Sequence, residues 1–177
     1  MTEIRVARST DLDGILALVA EFAQGHPSQD HQRSRKEFQT AYFGENPIAE
    51  IIIAVRDHKV VGMMEWHMMF DMFWTIYHGL PEWLFVSKEY RGSGVVLSLI
   101  AFTCHRVRQS GGQVMYIFAN DRTAPVLDKV CFGNGPSSFY HLFNEAFHRV
   151  ADLAGKPPKT IAANLPSKEL CKVKRNC

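Results

Sequence analysis

The segment Leu84-Phe85-Val86-Ser87-Lys88-Glu89-Tyr90-Arg91-Gly92-Ser93-Gly94-Val95-Val96-Leu97 reads as a strand, a glycine-containing loop and the opening of a helix. The first turn of a helix carries unpaired N–H groups and the positive end of the helix dipole. Together these form an anion site suited to a pyrophosphate. Gly92 and Gly94 lack the Cβ atoms that would hold such a ligand away from the backbone. Two glycines in a loop are also consistent with a simple turn, so the context matters. The loop has no Lys-Ser/Thr pair, which argues against triphosphate hydrolysis. It follows an antiparallel hairpin in mid-chain, not an opening strand–helix–strand unit, which argues against a dinucleotide fold.

Acid–base chemistry has its candidates just upstream. Strand alternation over residues 60–70 puts Val60, Gly62, Met64, Trp66, Met68 and Phe70 on one face. Val61, Met63, Glu65, His67, Met69 and, in a longer strand, Asp71 take the other. The first face is wholly apolar; the second brings Glu65 and His67 together. Such a pair suits general acid–base work. Alternatively, the two lie at a solvated sheet edge or satisfy each other. Glu82 opens the next strand and is a further candidate base or a solvated strand-start residue. Ser87, Tyr116 and Tyr140 are hydroxyl groups within the same region of the chain.

The elements that must position these groups follow from periodicity and punctuation. Residues 3–8 alternate as a half-buried strand. Ser9 and Thr10 offer a hydroxyl cap to a helix with apolar residues at Leu12, Ile15, Leu16, Leu18, Val19 and Phe22. A second helix is expected in residues 28–43, around Phe38, Tyr42 and Phe43. Residues 49–56 form a β-branched strand, and Asp57-His58-Lys59 reverses it into the strand that starts at Val60. Residues 71–80 are undecided. Residues 82–86 form a strand, residues 94–109 a helix, 113–118 a strand and 123–130 a short helix. Residues 137–143 are compatible with either strand or helix. A helix over residues 147–153 ends at Gly155, and Pro157-Pro158 breaks the chain. The order predicts an α/β fold, a mixed sheet with helices on its faces. Residues 1–155 form one domain in this reading and residues 156–177 a C-terminal tail.

Bulk properties narrow the classes. The 177 residues are 46% hydrophobic with a formal net charge of +2, which suits one soluble domain and gives no reason to expect nucleic acid as a partner. No apolar run reaches the roughly 18 residues of a membrane span, so no membrane partner is expected. Cys104, Cys131, Cys171 and Cys177 show no zinc spacing with each other or with His, so no metal is expected. The N-terminus has no signal-peptide layout, and a reducing, cytoplasmic location is the default expectation. Between Met63 and His78 lie five Met and several aromatics, denser beyond Phe70 than one strand buries. Met64, Trp66 and Met68 read as core, and the part beyond Phe70 is expected to wall a pocket or a subunit contact.

The loop and its surroundings resemble the GNAT acetyltransferase superfamily. Its Arg/Gln-x-x-Gly-x-Gly/Ala motif is met here at Arg91 and Gly94, with Val96 in place of the last small residue. The element order over residues 3–132 is similar too. The resemblance implies a GNAT-type mixed, mostly antiparallel central sheet flanked by helices on both faces. It implies acetyl-CoA as cosubstrate, with the amides of Arg91, Gly92, Ser93, Gly94, Val95 and Val96 on its pyrophosphate. Leu84, Phe85 and Val86 would line the pantetheine like an added strand, and Asn120 matches the asparagine common at the end of the following strand. The resemblance further implies direct attack of a primary amine in a ternary complex, with a small-molecule or peptide acceptor, and a homodimer, the assembly often met in the family. Glu82 stands where the family often has its base. Leu127 and Cys131 replace a tyrosine and a glycine of the family pattern, and that tyrosine often protonates the leaving thiolate. A catalytically weak acyl-CoA-binding sensor or interaction protein is the alternative.

Overall fold

The computed structural model describes residues 2–24, 35–119, 124–129, 133–134, 139–142, 144–167 and 170, with backbone alone at 133, 134 and 139–141. A seven-stranded sheet organises them. Its strands are β1 (Glu3–Val6), β2 (Glu50–Arg56), β3 (Lys59–Asp71), β4 (Ile76–Val86), β5 (Val114–Phe118), β6 (Gly133–Asn134) and β7 (Phe139–Leu142), in the order β1-β2-β3-β4-β5-β7-β6. Every neighbouring pair is antiparallel except β4 with β5. The helices are α1 (Leu12–Ala23), α2 (Arg35–Phe43), α3 (Val95–Gln109), α4 (Ala124–Lys129), α5 (Asn144–Asp152) and α6 (Pro158–Ala163).

Alternation along β2 and β3 divides the apolar residues between two cores. Ile52, Ala54, Met64 and Trp66 face α3, α5 and α6, where Leu99, Ile100, Phe147 and Ile161 complete the larger core. Ile51, Ile53 and Met63 face α1 and α2, against Ile15, Leu18, Phe38 and Tyr42. Helices therefore cover both faces, as the GNAT-type α/β reading expects. The simple two-face assignment for β3 fails at its start. A register shift beside Ala54/Val55 leaves Val60 on the α1 side and Val61 in the larger core. A bulge adds one residue to a ladder and so exchanges the faces of what precedes it.

Residues 71–80, undecided from sequence, extend β3 and β4 into one long hairpin closed by residues 72–75. Asp71 Oδ1 accepts the N–H groups of Phe73 and Trp74 at 2.9 and 3.0 Å, and Thr75 takes a positive φ of 53°. Residues 139–142 resolve as strand β7. The expected hydroxyl cap is not made by Ser9 or Thr10. A short 3-10 turn (Ser9–Asp11) precedes α1, and Asp11 instead accepts the Arg8 amide and Nη1 and Nη2 of Arg5, at 2.7–2.8 Å.

The tail expectation also needs correction over its described part. Pro158–Ala163 is a helix, Ile161 is buried, and the segment packs on α3. Its single apolar anchor spaced after two prolines gave periodicity too little to work on. Between α3 and the sheet, Glu50 receives Arg106 Nε and Nη2 at 2.9 and 2.6 Å and Trp66 Nε1 at 3.0 Å. Removing this carboxylate strands a buried indole N–H and a half-buried guanidinium. Glu50→Ala is expected to lower stability by about 1–3 kcal/mol, read from urea midpoints at constant m-value.

Candidate active site

β4 and β5 run side by side for only two residue pairs, His78 with Val114 and Gly79 with Met115. Beyond them the strands part. β4 stays bonded to β3 as far as Val86, while β5 pairs on its other side with β7. No backbone hydrogen bond among the described residues joins the second half of β4 to β5. Buried backbone groups require partners, so this open edge offers a ladder to an extended amide-bearing chain. A bulge marks the same place. Glu65 lies opposite Trp83 and Trp66 opposite Pro81, which leaves Glu82 as the extra residue.

The chain leaves β4 at Val86, makes a 3-10 turn (Lys88–Tyr90) and enters α3 through Arg91, Gly92, Ser93 and Gly94. Gly92 and Gly94 both have positive φ, 77° and 84°. Gly94 is the N-cap of α3 and donates no side-chain cap. The Arg91 and Ser93 amides turn back to Lys88 O and Tyr90 O, at 3.4 and 3.3 Å. Those of Gly92, Gly94, Val95, Val96 and Leu97 have no hydrogen-bond partner among the described residues. Arg91 is held low: its Nε donates to Val86 O at 3.1 Å and its guanidinium lies 5.8 Å from the Phe85 ring centre. Free amides at a helix start, next to an opened strand edge, fit a pyrophosphate with an extended tail. Leu84 and Val86 point to the α3 side and Phe85 to the α1 side, where its ring meets Phe22 at 5.0 Å. Asn120 lies outside the described residues.

The three acid–base candidates come together on the α1 side. Glu65 is 6% exposed, in the middle of the sheet and not at an edge. Burial raises its pKa, the Glu82 charge raises it further, and a hydrogen bond from Tyr42 and the charge of His67 oppose the rise. Tyr42, on α2, has its own pKa pushed up by burial and by Glu65 and Glu82. Glu82 is exposed and Trp83, beside it, meets Phe22 of α1 at 5.6 Å. Tyr42 was read from sequence as an apolar helix residue only; its phenol, one turn from Phe38, needed a buried partner, and that requirement was the available signal. Tyr116 is buried on β5, its pKa pushed up to about 12 by burial and Asp71. The Tyr140 side chain lies outside the described residues. Leu127 fills the larger core on α4, so no phenol stands there. Cys104 is buried in α3 with its thiol pKa pushed up by burial. No group of three metal-ligating side chains and no helix long and apolar enough to cross a membrane occurs among the described residues.

Comparison with known proteins agrees with this geometry. The sequence model of the acetyltransferase (GNAT) family matches residues 15–131, and the chain belongs to that family. Its class is acyl-CoA-dependent N-acetyltransferase. Aminoalkylphosphonate N-acetyltransferase of Salmonella typhimurium is 28% identical over 118 residues, 67% of this chain and 74% of that protein. An N-acetyltransferase from Staphylococcus aureus Mu50 superposes with a TM-score of 0.62 at 17% identity, over 81% of this chain and 98% of that one. An aminoglycoside acetyltransferase from an uncultured soil metagenomic sample, solved with sisomicin, gives 0.60 at 16% identity, over 72% and 83%.

Two glycine substitutions separate loop strain from collision. A Cβ at Gly92 would meet nothing within 4 Å, whereas one at Gly94 would lie 2.4 Å from Pro158 Cβ. Gly92→Ala is expected to cost about 1–2 kcal/mol through its positive φ alone. Gly94→Ala should cost distinctly more in the same urea titration. Glu65 supplies a pH-dependent counterpart. Its folded pKa lies above its unfolded value, so the carboxylate destabilises the fold once pH exceeds the unfolded value. Glu65→Gln is therefore expected to raise Tm at pH 8 and leave it unchanged at pH 3.

Proposed function

We propose that this chain transfers the acetyl group of acetyl-CoA to a primary amine by direct attack in a ternary complex. The observation that carries the reading is the run of unpartnered amides at Gly92, Gly94, Val95, Val96 and Leu97 beside the parted strands. In this reading those amides and the α3 dipole hold the pyrophosphate. Leu84, Phe85 and Val86 lie along the pantetheine, Arg91 and Ser93 shape the loop, and Asn120, outside the described residues, is assigned to the cofactor by the family resemblance. Bound acetyl-CoA supplies an activated acyl carbon and a thiolate leaving group.

The protein's own part is proton management. Glu82, exposed at the bulge, attracts the incoming ammonium. Glu65, buried and with a raised pKa, takes the proton that must leave before the amine attacks. His67 beside it favours the carboxylate form. Thiols have a pKa of about 8.5, so the released thiolate draws its proton from solvent and no phenol is needed at Leu127. A small amine or a peptide end meets this description. The same reading covers a single-domain enzyme of the cytoplasm. Its hairpin tip, where Met72 and Phe73 are 84% and 83% exposed, is the surface available to a second copy.

Calorimetry with coenzyme A tests the foundation: micromolar binding is expected, weakened roughly tenfold in Gly92→Ala. Absence of heat with both coenzyme A and its acetyl ester sinks the reading. Glu65→Gln is expected to lower kcat by roughly 100-fold with little change in coenzyme A affinity. The wild-type rate should rise with pH through an ionisation above the ordinary glutamate range, and that limb should vanish in the variant.

A further inference from the structure

Past Glu65 and Glu82, the α1-side face of β3 and β4 carries His78 and Asp71, which the acetyl step leaves unused. Register places His67 opposite Leu80, Met69 opposite His78 and Asp71 opposite Ile76. Alternation puts all of them on the face that bears Glu65. His78 is 6% exposed, its ring packs on Tyr116 at 4.5 Å, and its Nδ1 has no hydrogen-bond partner. Burial lowers the pKa of His78, with Asp71 and His67 acting on it in opposite senses. A neutral imidazole keeps one nitrogen as an acceptor. His78 is thus a buried imidazole whose Nδ1 has no partner, within range of the Asp71 charge.

The charge around it has one sign. Glu65, Glu82 and Asp71 take part in no ion pair among the described residues. α1, which packs over this face, contains Asp13 and Glu21 and neither Lys nor Arg. On α2, Arg35 is engaged by Asp13 and Lys36 is exposed in the first turn. Three carboxylates thus share a face with two histidines and no fixed cation from β3, β4 or α1. Four residue steps along β3 lead from Glu65 to Met69, the partner of His78, a span of about 13 Å. Leu80 and Met69 provide apolar surface between the two ends.

The geometry points to a linear diamine or polyamine as the acceptor. Its reacting nitrogen lies at Glu65 and Glu82, and its methylene spacer follows Leu80 and Met69. A second ammonium lies against the His78 imidazole and the Asp71 carboxylate. This deepens the acetyl-transfer reading and rests on it. An aminoalkylphosphonate, the acceptor in the name of the Salmonella relative, would bring a dianion among three carboxylates and meet repulsion.

The test is steady-state acetylation with acetyl-CoA and five acceptors: a linear diamine, a linear triamine, a monoamine of equal chain length, an aminoalkylphosphonate and a short peptide with a free N-terminus. The diamine or triamine is expected to exceed the other three in kcat/KM by roughly tenfold or more. Asp71→Asn keeps the turn's acceptor oxygen, and His78→Phe keeps the ring contact with Tyr116. Each is expected to raise KM for the triamine roughly fivefold while kcat, and KM for the monoamine, hold steady. Equal turnover of the monoamine, phosphonate or peptide overturns the assignment, as does a triamine KM unmoved in both variants. Calorimetry on the wild-type protein separates the two levels. Coenzyme A that fails to bind removes the acetyl-transfer reading itself; coenzyme A that binds without a polyamine preference removes only the acceptor class.

Discussion

A peptide group that leaves a sheet ladder must find another partner, and the site described above is organised around the one place where that happens in mid-sheet. β4 and β5 separate after Gly79 and Met115. The separation is maintained from both sides: β3 holds β4 and β7 holds β5, so neither strand is free to swing back. α3 starts at the wide end of the gap and supplies amides that its own first turn cannot use. An opened strand edge and a helix start thus meet at Val86 to Val95. Neither would recommend itself alone; together they describe a slot for a long ligand with a charged end.

The second constraint is the burial of Glu65. A carboxyl in the middle of a sheet, covered by α2 through Tyr42, is held nearer neutrality than one in water. Its neighbour Glu82 sits outside, on a residue that the ladder has expelled. In the proposed reaction one environment makes a proton acceptor and the other a charge that faces solvent. The division of roles comes from surroundings and not from residue type, since both are glutamates.

Much of this was legible in the chain. The glycine loop declared itself because strand, Gly92, Gly94 and the apolar helix are contiguous, and local order is what periodicity and turn chemistry report. Glu65 and His67 were placed on one face by simple alternation. Glu82 was recognised as a candidate, but its being the bulged residue was invisible, because a bulge is a property of the pairing and not of one strand. Val60 and Val61 exchanged faces for the same reason. His78 escaped notice in a stretch whose conformation was undecided, and its meaning depends on Tyr116, which is remote in sequence. The helix at Pro158–Ala163 was missed because six residues carry one buried anchor, Ile161, whose partners lie on α3.

That last helix has a consequence for how the protein is made. Pro158 forms the wall against which Gly94 rests. The ribosome releases that proline long after the loop itself. The N-terminal strands and α1 are free to associate while synthesis continues, since chains acquire structure from the N-terminal side first. The loop obtains its backing only after the chain between Gly94 and Pro158 has been made, so its final shape is reached in one step, when α6 docks, and not progressively.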